Sequence, residues 1–435
     1  MTMDITILRK YLLDKKEDIK KLDVKKREIN VKLTKRFIIT IIGPRRSGKT
    51  HLMYDLILNR LNLKDDSYVY VNFEDLGMKD AHAEDIISMI NLHEEIYGVL
   101  PEYLFFDEIQ TLEGWEKLIY TLFEKKQFFI VLTGSSSKLL SKELATQLRG
   151  RALSILMLPF SFREYLEAKG FQIKNDYASS EENKIKNHLT NYIKLGGFPD
   201  VVLEEDVNER FFMDYIDLLL FRDIIERFGI KNISVIRHLI AAALTSYSKE
   251  FSVHKNYTVL KSKGIKLSEK TLYSYAELLE DVFFSFYLKK YYFSQRKSRL
   301  STPKVYINDT GLIRGALALR HEDEFGRFME NCVFLELKRM QNKKPSIELY
   351  YYKTTDDREV DFVIREGKDV VEMIQVCYNL EDDDTQKREL TVLIKAADTL
   401  LCENLLVITW DLEEVKELKG HKIRFIPLWK WLIGA

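Results

Sequence analysis

Gly43-Pro-Arg-Arg-Ser-Gly48-Lys49-Thr50 fits the pattern G-x-x-x-x-G-K-[ST] at every fixed position. The glycines let the backbone fold so that successive N–H groups, with the positive end of the following helix, surround a β-phosphate. Lys49 would reach the β and γ oxygens, and Thr50 would ligate Mg²⁺. Pro44, Arg45, Arg46, Ser47 and His51 complete the expected ATP-contacting stretch. An ordinary glycine turn is the bland alternative, which the full pattern and its flanks outweigh.

A second acidic signal follows. Leu104-Phe-Phe-Asp107-Glu108 puts two carboxylates at the end of an apolar run, the place where open α/β sheets bind ligands. Asp107 would hold Mg²⁺ through water, and Glu108 would orient and deprotonate the attacking water. Thr133 and Ser135, in Thr133-Gly134-Ser135, are placed to present a hydroxyl to the γ-phosphate or the water. Arg149 and Arg151, in Gln147-Leu-Arg-Gly-Arg, are candidates for an arginine finger on a neighbour's nucleotide or for a local structural pair.

The elements that must position these residues can be read from hydrophobic pattern. FIITIIGPRRSGKTHLMYDLILNRL, from Phe37, is a β-branched run, a turn and then apolar residues at helical spacing. YVYVNFED at 68–75, YLFFDEIQ at 103–110 and FFIVLTGSSS at 128–137 read as further strands separated by helical stretches. This alternation predicts an α/β domain with a parallel sheet covered on both faces. We expect an N-terminal basic helical segment at 1–36, a P-loop core at 37–159, a helical lid at 160–232, a winged helix at 233–310 and a second α/β domain at 325–435. The winged-helix expectation rests on two helices, a break at Gly264, a helix opening SEKTLYSYAELLEDV, and strand-like FFSFYL and KVYIND around a basic stretch.

Composition narrows the class. The chain has 435 residues, 46% hydrophobic and 31% charged, values of a folded globular protein with several cores. No apolar run reaches the roughly 18 to 20 residues that span a bilayer, and the first residues lack a secretion signal, so a cytoplasmic protein without membrane attachment is expected. Cys332, Cys377 and Cys402 are widely spaced and lack metal-ligand pairing. The formal net charge is zero, yet 1–36 carries twelve Lys or Arg against six Asp or Glu, which reads mostly as a solvated amphipathic helix. Residues 234–304 carry thirteen basic against five acidic side chains, and 288–304 carry six basic and none acidic.

The segments GPRRSGKT, YLFFDEIQ, LTGSSSKLLS, LRGRALSILMLPFSFREYL and GGFPDVV resemble the archaeal and bacterial AAA+ ATPases that carry a nuclease-like C-terminal domain. LFRDIIERFGI, TLYSYAELLEDVFF, KVYINDTGL, MENCVFLEL and EVDFVI extend the resemblance over nearly the whole chain. It implies an AAA+ core with a helical lid, a winged helix, a fold similar to PD-(D/E)xK restriction-type nucleases, and a ring-shaped oligomer such as a hexamer. In such nucleases a helix Glu, a strand Asp and a Glu-x-Lys gather around a divalent metal. The matching positions here are Glu330, Asp361 and Gln375-Val376-Cys377, so an amide replaces the second carboxylate and a thiol replaces the lysine. The resemblance therefore implies a disabled cutting site, in which two carboxylates could still hold a metal weakly. Glu372 lies three residues before Gln375, which on a strand is the opposite face.

Charge segregation suggests a polyanionic partner. Lys270, Tyr273 and Ser274, early on the helix that opens at Ser268, would fit a major groove, and Arg296, Lys297 and Arg299 would lie on phosphates. The expectation is an oligomeric AAA+ ATPase that couples ATP turnover to binding, movement on or remodelling of double-stranded DNA. Its rivals are a slow nucleotide-dependent switch acting through protein partners and an ATP-dependent nuclease.

Overall fold

A computed structural model of the chain describes residues 3–135, 150–204, 209–317, 324–378 and 383–434. It divides into two compact units, one of residues 1–158 with 281–283 and one of residues 159–280 with 284–435.

The first unit opens with helix α1 (Ile5–Lys20), capped by the Asp4 side chain on the Thr6 amide. Only part of its surface is solvated, because Leu8, Leu12, Lys16 and Ile19 are buried. Five parallel strands follow: β1 (Ile38–Ile42), β2 (Tyr68–Asn72), β3 (Tyr103–Asp107), β4 (Phe129–Gly134) and β5 (Ala152–Leu156). Helices α2 (Lys49–Asp55), α3 (Ala83–Tyr97) and α4 (Trp115–Glu124) lie between them in sequence, and α2 runs on into a π-helical turn at Leu56–Arg60. The sheet order is β2-β3-β4-β1-β5. β1 and β3 thus both neighbour β4, with Ile41 opposite Thr133 and Phe106 opposite Leu132. Because every strand is parallel, the loops after β1, β3 and β4 leave the same edge of the sheet. β1 is buried along its whole length and reads IITII, without the polar alternation of a one-faced sheet.

The second unit begins with α5 (Phe162–Ala168), whose Ser161 and Glu164 form a reciprocal capping box. α6 (Ser179–Leu195), α7 (Pro199–Leu203) and α8 (Glu209–Leu218) continue the helical stretch. Next come α9 (Ile233–Thr245), β6 (Lys249–Glu250), α10 (Val253–Ser262), α11 (Glu269–Asp281), β7 (Ser285–Leu288), α12 (Gln295–Leu300) and β8 (Lys304–Ile307). Their three strands form an antiparallel sheet in the order β6-β8-β7. The basic stretch between β7 and β8 contains the short helix α12.

α13 (Thr310–Leu317) and α14 (Phe325–Lys343) lead to β9 (Ile347–Lys353), β10 (Glu359–Glu366), β11 (Asp369–Cys377), α15 (Asp383–Leu400), β12 (Leu405–Thr409), β13 (Glu414–Leu418), β14 (His421–Pro427) and α16 (Leu428–Gly434). The mixed six-stranded sheet has the order β13-β14-β12-β11-β10-β9. Its core includes Val363, Met373, Leu393, Ala397 and Phe425, and Cys377 packs there as an apolar side chain. The Gly196-Gly197 pair has a steric cause. A Cβ on Gly196 would lie 1.8 Å from Asp309 Oδ1, and the Gly197 amide donates to Asp309 Oδ2 at 2.7 Å.

Candidate functional site

The P-loop leaves β1 and closes on α2. Gly43 is tolerated where no side chain would be, since its Cβ would meet the Met157 carbonyl oxygen at 2.1 Å. Gly43, Arg46 and Gly48 have φ 154°, 58° and 92°, so the turn uses positive φ three times, once with a residue other than glycine. Lys49 is 4% exposed, and its Nζ donates to the carbonyls of Gly43 at 3.2 Å and Pro44 at 3.0 Å. Arg45 pairs with Glu74 at 3.0 Å, Pro44 and Ser47 are buried, and exposed His51 meets Tyr54 edge-on at 5.8 Å.

The acidic pair sits beside this loop. Asp107 Oδ2 accepts from Thr50 Oγ1 at 2.7 Å and from the Tyr70 hydroxyl at 2.8 Å, and its Oδ1 accepts from the Thr133 hydroxyl. Burial and the neighbouring Glu108 charge push the Asp107 carboxyl above the usual range, against the three hydroxyl donors. Thr133 Oγ1 also accepts from the Glu108 amide at 2.9 Å. The hydroxyl proposed for phosphate or water therefore orders the two acidic residues in this structure. Glu108 has φ 49°, a strained conformation for a residue with a Cβ. Its carboxylate lies 3.5 Å from Lys49 Nζ and accepts from Gln110 Nε2 at 2.5 Å.

These groups fit a nucleotide with a divalent cation. The Thr50 hydroxyl and Asp107 carboxylate that would hold Mg²⁺ already touch. The buried hydroxyls of Ser47 and Ser135, near the loop and the end of β4, have no hydrogen-bond partner among the described residues. Arg149 lies outside the described residues. Arg151 pairs with Glu124 and stacks over Phe123 at 5.6 Å.

Four contributors carry no motif. Arg27 is buried and donates to the Ser47 carbonyl at 2.6 Å and the Leu158 carbonyl at 2.8 Å, so the N-terminal segment braces the P-loop. Arg60 in turn donates to the Arg27 carbonyl at 2.6 Å and the Ile29 carbonyl at 2.5 Å. Tyr70 and Gln110 complete the set. Nothing local distinguishes Arg27 from its neighbours in the basic run; the only available sequence signal for Gln110 is its place two residues beyond the acidic pair.

In the second unit, Lys270, Tyr273 and Ser274 are exposed along one stretch of α11, and Arg296, Lys297 and Arg299 are exposed on α12. Glu330 and Asp361 converge, as the resemblance implies, but around a lysine from elsewhere in the chain. Lys304, on β8 and 1% exposed, has its Nζ 2.5 Å from Glu330, 2.7 Å from Glu359 and 3.6 Å from Asp361. Burial alone would discharge it, yet the Glu330, Asp361 and Glu359 carboxylates outweigh burial and hold the ammonium well above the usual lysine range. The Tyr306 hydroxyl donates to Glu330 at 2.6 Å. Gln375 accepts from the Asp361 amide at 3.3 Å and donates to Glu389 at 3.0 Å, and Glu372 accepts from Asn404 at 3.1 Å. Cys377 stands at the motif's lysine position, and a lysine from elsewhere in the chain reaches these carboxylates through tertiary structure. β10 shifts register between Val360 and Val363, where Asp361 lies. Among the described residues, no three His, Cys, Asp or Glu side chains are grouped to hold a metal.

Fold and site together define a P-loop nucleotide-binding domain of the AAA class. Residues 35–166 match the family described as AAA domain, and 186–323 and 325–431 match two domains of unknown function. An uncharacterised protein of Methanocaldococcus jannaschii is 35% identical, over 98% of this chain and 95% of its own. An uncharacterised protein of Haemophilus influenzae is 30% identical, over 90% and 94%. The chain belongs to one family with these two proteins. Among solved structures, AMPPCP-bound DnaA from Aquifex aeolicus aligns at TM-score 0.22 and 16% identity, covering 63% of this chain and 86% of DnaA. Cdc6p from Pyrobaculum aerophilum aligns at TM-score 0.24 and 14% identity, covering 74% and 100%. Those two likenesses are too slight to bear on function. No helix among the described residues is long and apolar enough to cross a membrane.

Proposed function

We propose that this protein is an oligomeric ATPase that hydrolyses ATP to ADP and phosphate with Mg²⁺ and couples the reaction to double-stranded DNA. The carrying observation is a single bonded set at one sheet edge, Thr50 to Asp107 to Thr133 to the Glu108 amide, with Lys49 3.5 Å from the Glu108 carboxylate. Lys49 and the loop amides bind the phosphates. Thr50 and Asp107 would hold Mg²⁺, which when bound neutralises phosphate charge. Glu108 takes a proton as the water oxygen bonds to the γ-phosphorus and the bridging bond to ADP breaks. Thr133 and Gln110 position Glu108. Arg149 and Arg151 remain the finger candidates in a ring, a hexamer being the expected form.

The order helix, strand, helix, helix, strand, short helix, strand over 233–307, with its antiparallel sheet, supports a winged helix whose wing carries α12. Exposed Lys270, Tyr273 and Ser274 would face the groove, and Arg296, Lys297 and Arg299 the phosphates. The last domain is read as a restriction-type nuclease fold that does not cut. Lys304 already sits among Glu330, Glu359 and Asp361 as their counter-ion, and Gln375 and Cys377 stand where a carboxylate and a lysine would be needed.

ATP turnover of the wild type and of Glu108→Gln, with and without duplex DNA, alongside mass determination in nucleotide, tests this. Glu108→Gln should retain ATP with turnover lowered about 10²-fold or more. Duplex should raise wild-type turnover, and the mass should be a multiple of the chain. Absence of turnover overturns the enzyme; turnover indifferent to DNA, with no retention of duplex at moderate salt, overturns the coupling.

A further inference from the structure

The basic segment between β7 and β8 is built to hold its shape. The Tyr291 amide donates to the Tyr351 carbonyl at 2.7 Å, and the Tyr291 ring is buried against Tyr350 and Tyr352. Ser298 is buried, its hydroxyl donating to the Lys290 carbonyl at 2.6 Å. Ser301 accepts from the Lys290 amide at 3.2 Å and donates to the Ser298 carbonyl at 2.7 Å. On this pinned frame Phe293 is 75% exposed and Leu300 77% exposed. Phe293 meets Tyr291 edge-on at 5.7 Å. Exposed Arg296, Lys297 and Arg299 lie between them in sequence, and 288–304 has no acidic residue. Large apolar side chains in water gain nothing for folding, and here they stand on a hydrogen-bonded segment that also carries three exposed cations.

We infer that this knob is a wedge for nucleic acid whose base stack is open, at a duplex end or a junction of single and double strand. The inference rests on the DNA reading above and narrows its substrate. Phe293 would stack on the uncovered base face, with Leu300 beside it and Arg296, Lys297 and Arg299 on flanking phosphates. An intact duplex offers no such face without unstacking, which costs binding energy, whereas an open stack offers it at no cost. The charge balance selects a polyanion over an ordinary protein surface.

Fluorescence anisotropy with the full chain at fixed salt, comparing as competitors a covalently closed duplex circle and a duplex bearing a single-stranded overhang, tests this. The wild type should prefer the overhang substrate by about tenfold. Phe293→Ala, a change at an exposed position, should bind the closed duplex as the wild type does and lose that preference. A triple change of Arg296, Lys297 and Arg299 to Ala should weaken both substrates and lower the salt slope by up to about three. Equal wild-type affinities, or a preference that survives Phe293→Ala, overturn the wedge while the triple variant still reports on DNA binding. Failure to bind either substrate removes the DNA reading itself. Sedimentation with phosphatidylserine vesicles that depends on Phe293, without any overhang preference, assigns the knob to lipid and overturns the wedge.

Discussion

Lys49 and Lys304 are both buried beside carboxylates, in opposite ways. Lys49, in the first unit, has two main-chain carbonyls as hydrogen-bond acceptors and one carboxylate at 3.5 Å. Lys304, in the second, has three carboxylates within 3.6 Å and a tyrosine hydroxyl on the nearest of them. Around Lys49 the backbone is strained at Arg46 and Glu108, and the Ser47 and Ser135 hydroxyls have no partner among the described residues. Around Lys304 the negative charge already exceeds the positive. A buried ammonium set mainly against carbonyls has capacity left for an incoming anion, whereas one saturated by carboxylates serves as an internal counter-ion.

The contrast breaks or sharpens through substitution. Lys49→Ala should abolish detectable ATP turnover and lower ATP retention about a hundredfold or more, with unchanged circular dichroism; equal retention would place nucleotide binding elsewhere. Lys304→Met should leave ATP retention intact and destabilise the second unit by about 3–5 kcal/mol, since it strands buried carboxylates. Denaturant unfolding measures this, and adding Glu330→Gln should recover part of the loss. If Lys304→Met unfolds like the wild type, the counter-ion role is wrong. Arg27→Ala should raise KM for ATP about tenfold with a smaller change in kcat, because it unbraces the Ser47 carbonyl without touching the reacting atoms.

A pH-dependent effect concerns Asp309, a buried carboxyl held mainly by backbone amides of Gly197, Gly311 and Leu312, with Arg339 contributing less. Burial pushes it up to about 7, against those donors. A carboxyl raised on folding binds its proton more tightly in the native state, so its contribution is complete below the unfolded value near 4 and is lost as pH rises to about 7. Relative to Asp309→Asn, wild-type stability should fall across that window by at most about 1.4 kcal/mol per pH unit, and be parallel above it. A difference that rises with pH would reverse the assignment.

Much of the first site was legible because its parts are neighbours in sequence. Gly43, Gly48, Lys49 and Thr50 sit at fixed spacing, and Asp107 and Glu108 end an apolar run that forms a strand as expected. The three following strands were placed to within a few residues. The role of Thr133 was legible only in part, since its partners depend on β4 lying beside β3. The N-terminal segment read as a solvated helix, but helix α1 stops at Lys20, and the basic run beyond it sends Arg27 to the loop.

From sequence alone came the phosphate-binding chemistry, the alternating β/α pattern of the first unit, the exposed cations of α12 and the pair Glu330 and Asp361. Tertiary structure alone decided the order β2-β3-β4-β1-β5, the brace by Arg27 and the arrival of Lys304 among carboxylates. The physical reason is range. Glycine conformations and helix polarity act over a few covalent neighbours, so a contiguous motif carries its own geometry. A buried charge must instead find its partner wherever chain packing brings one, and desolvation enforces that match without leaving a local spacing to read.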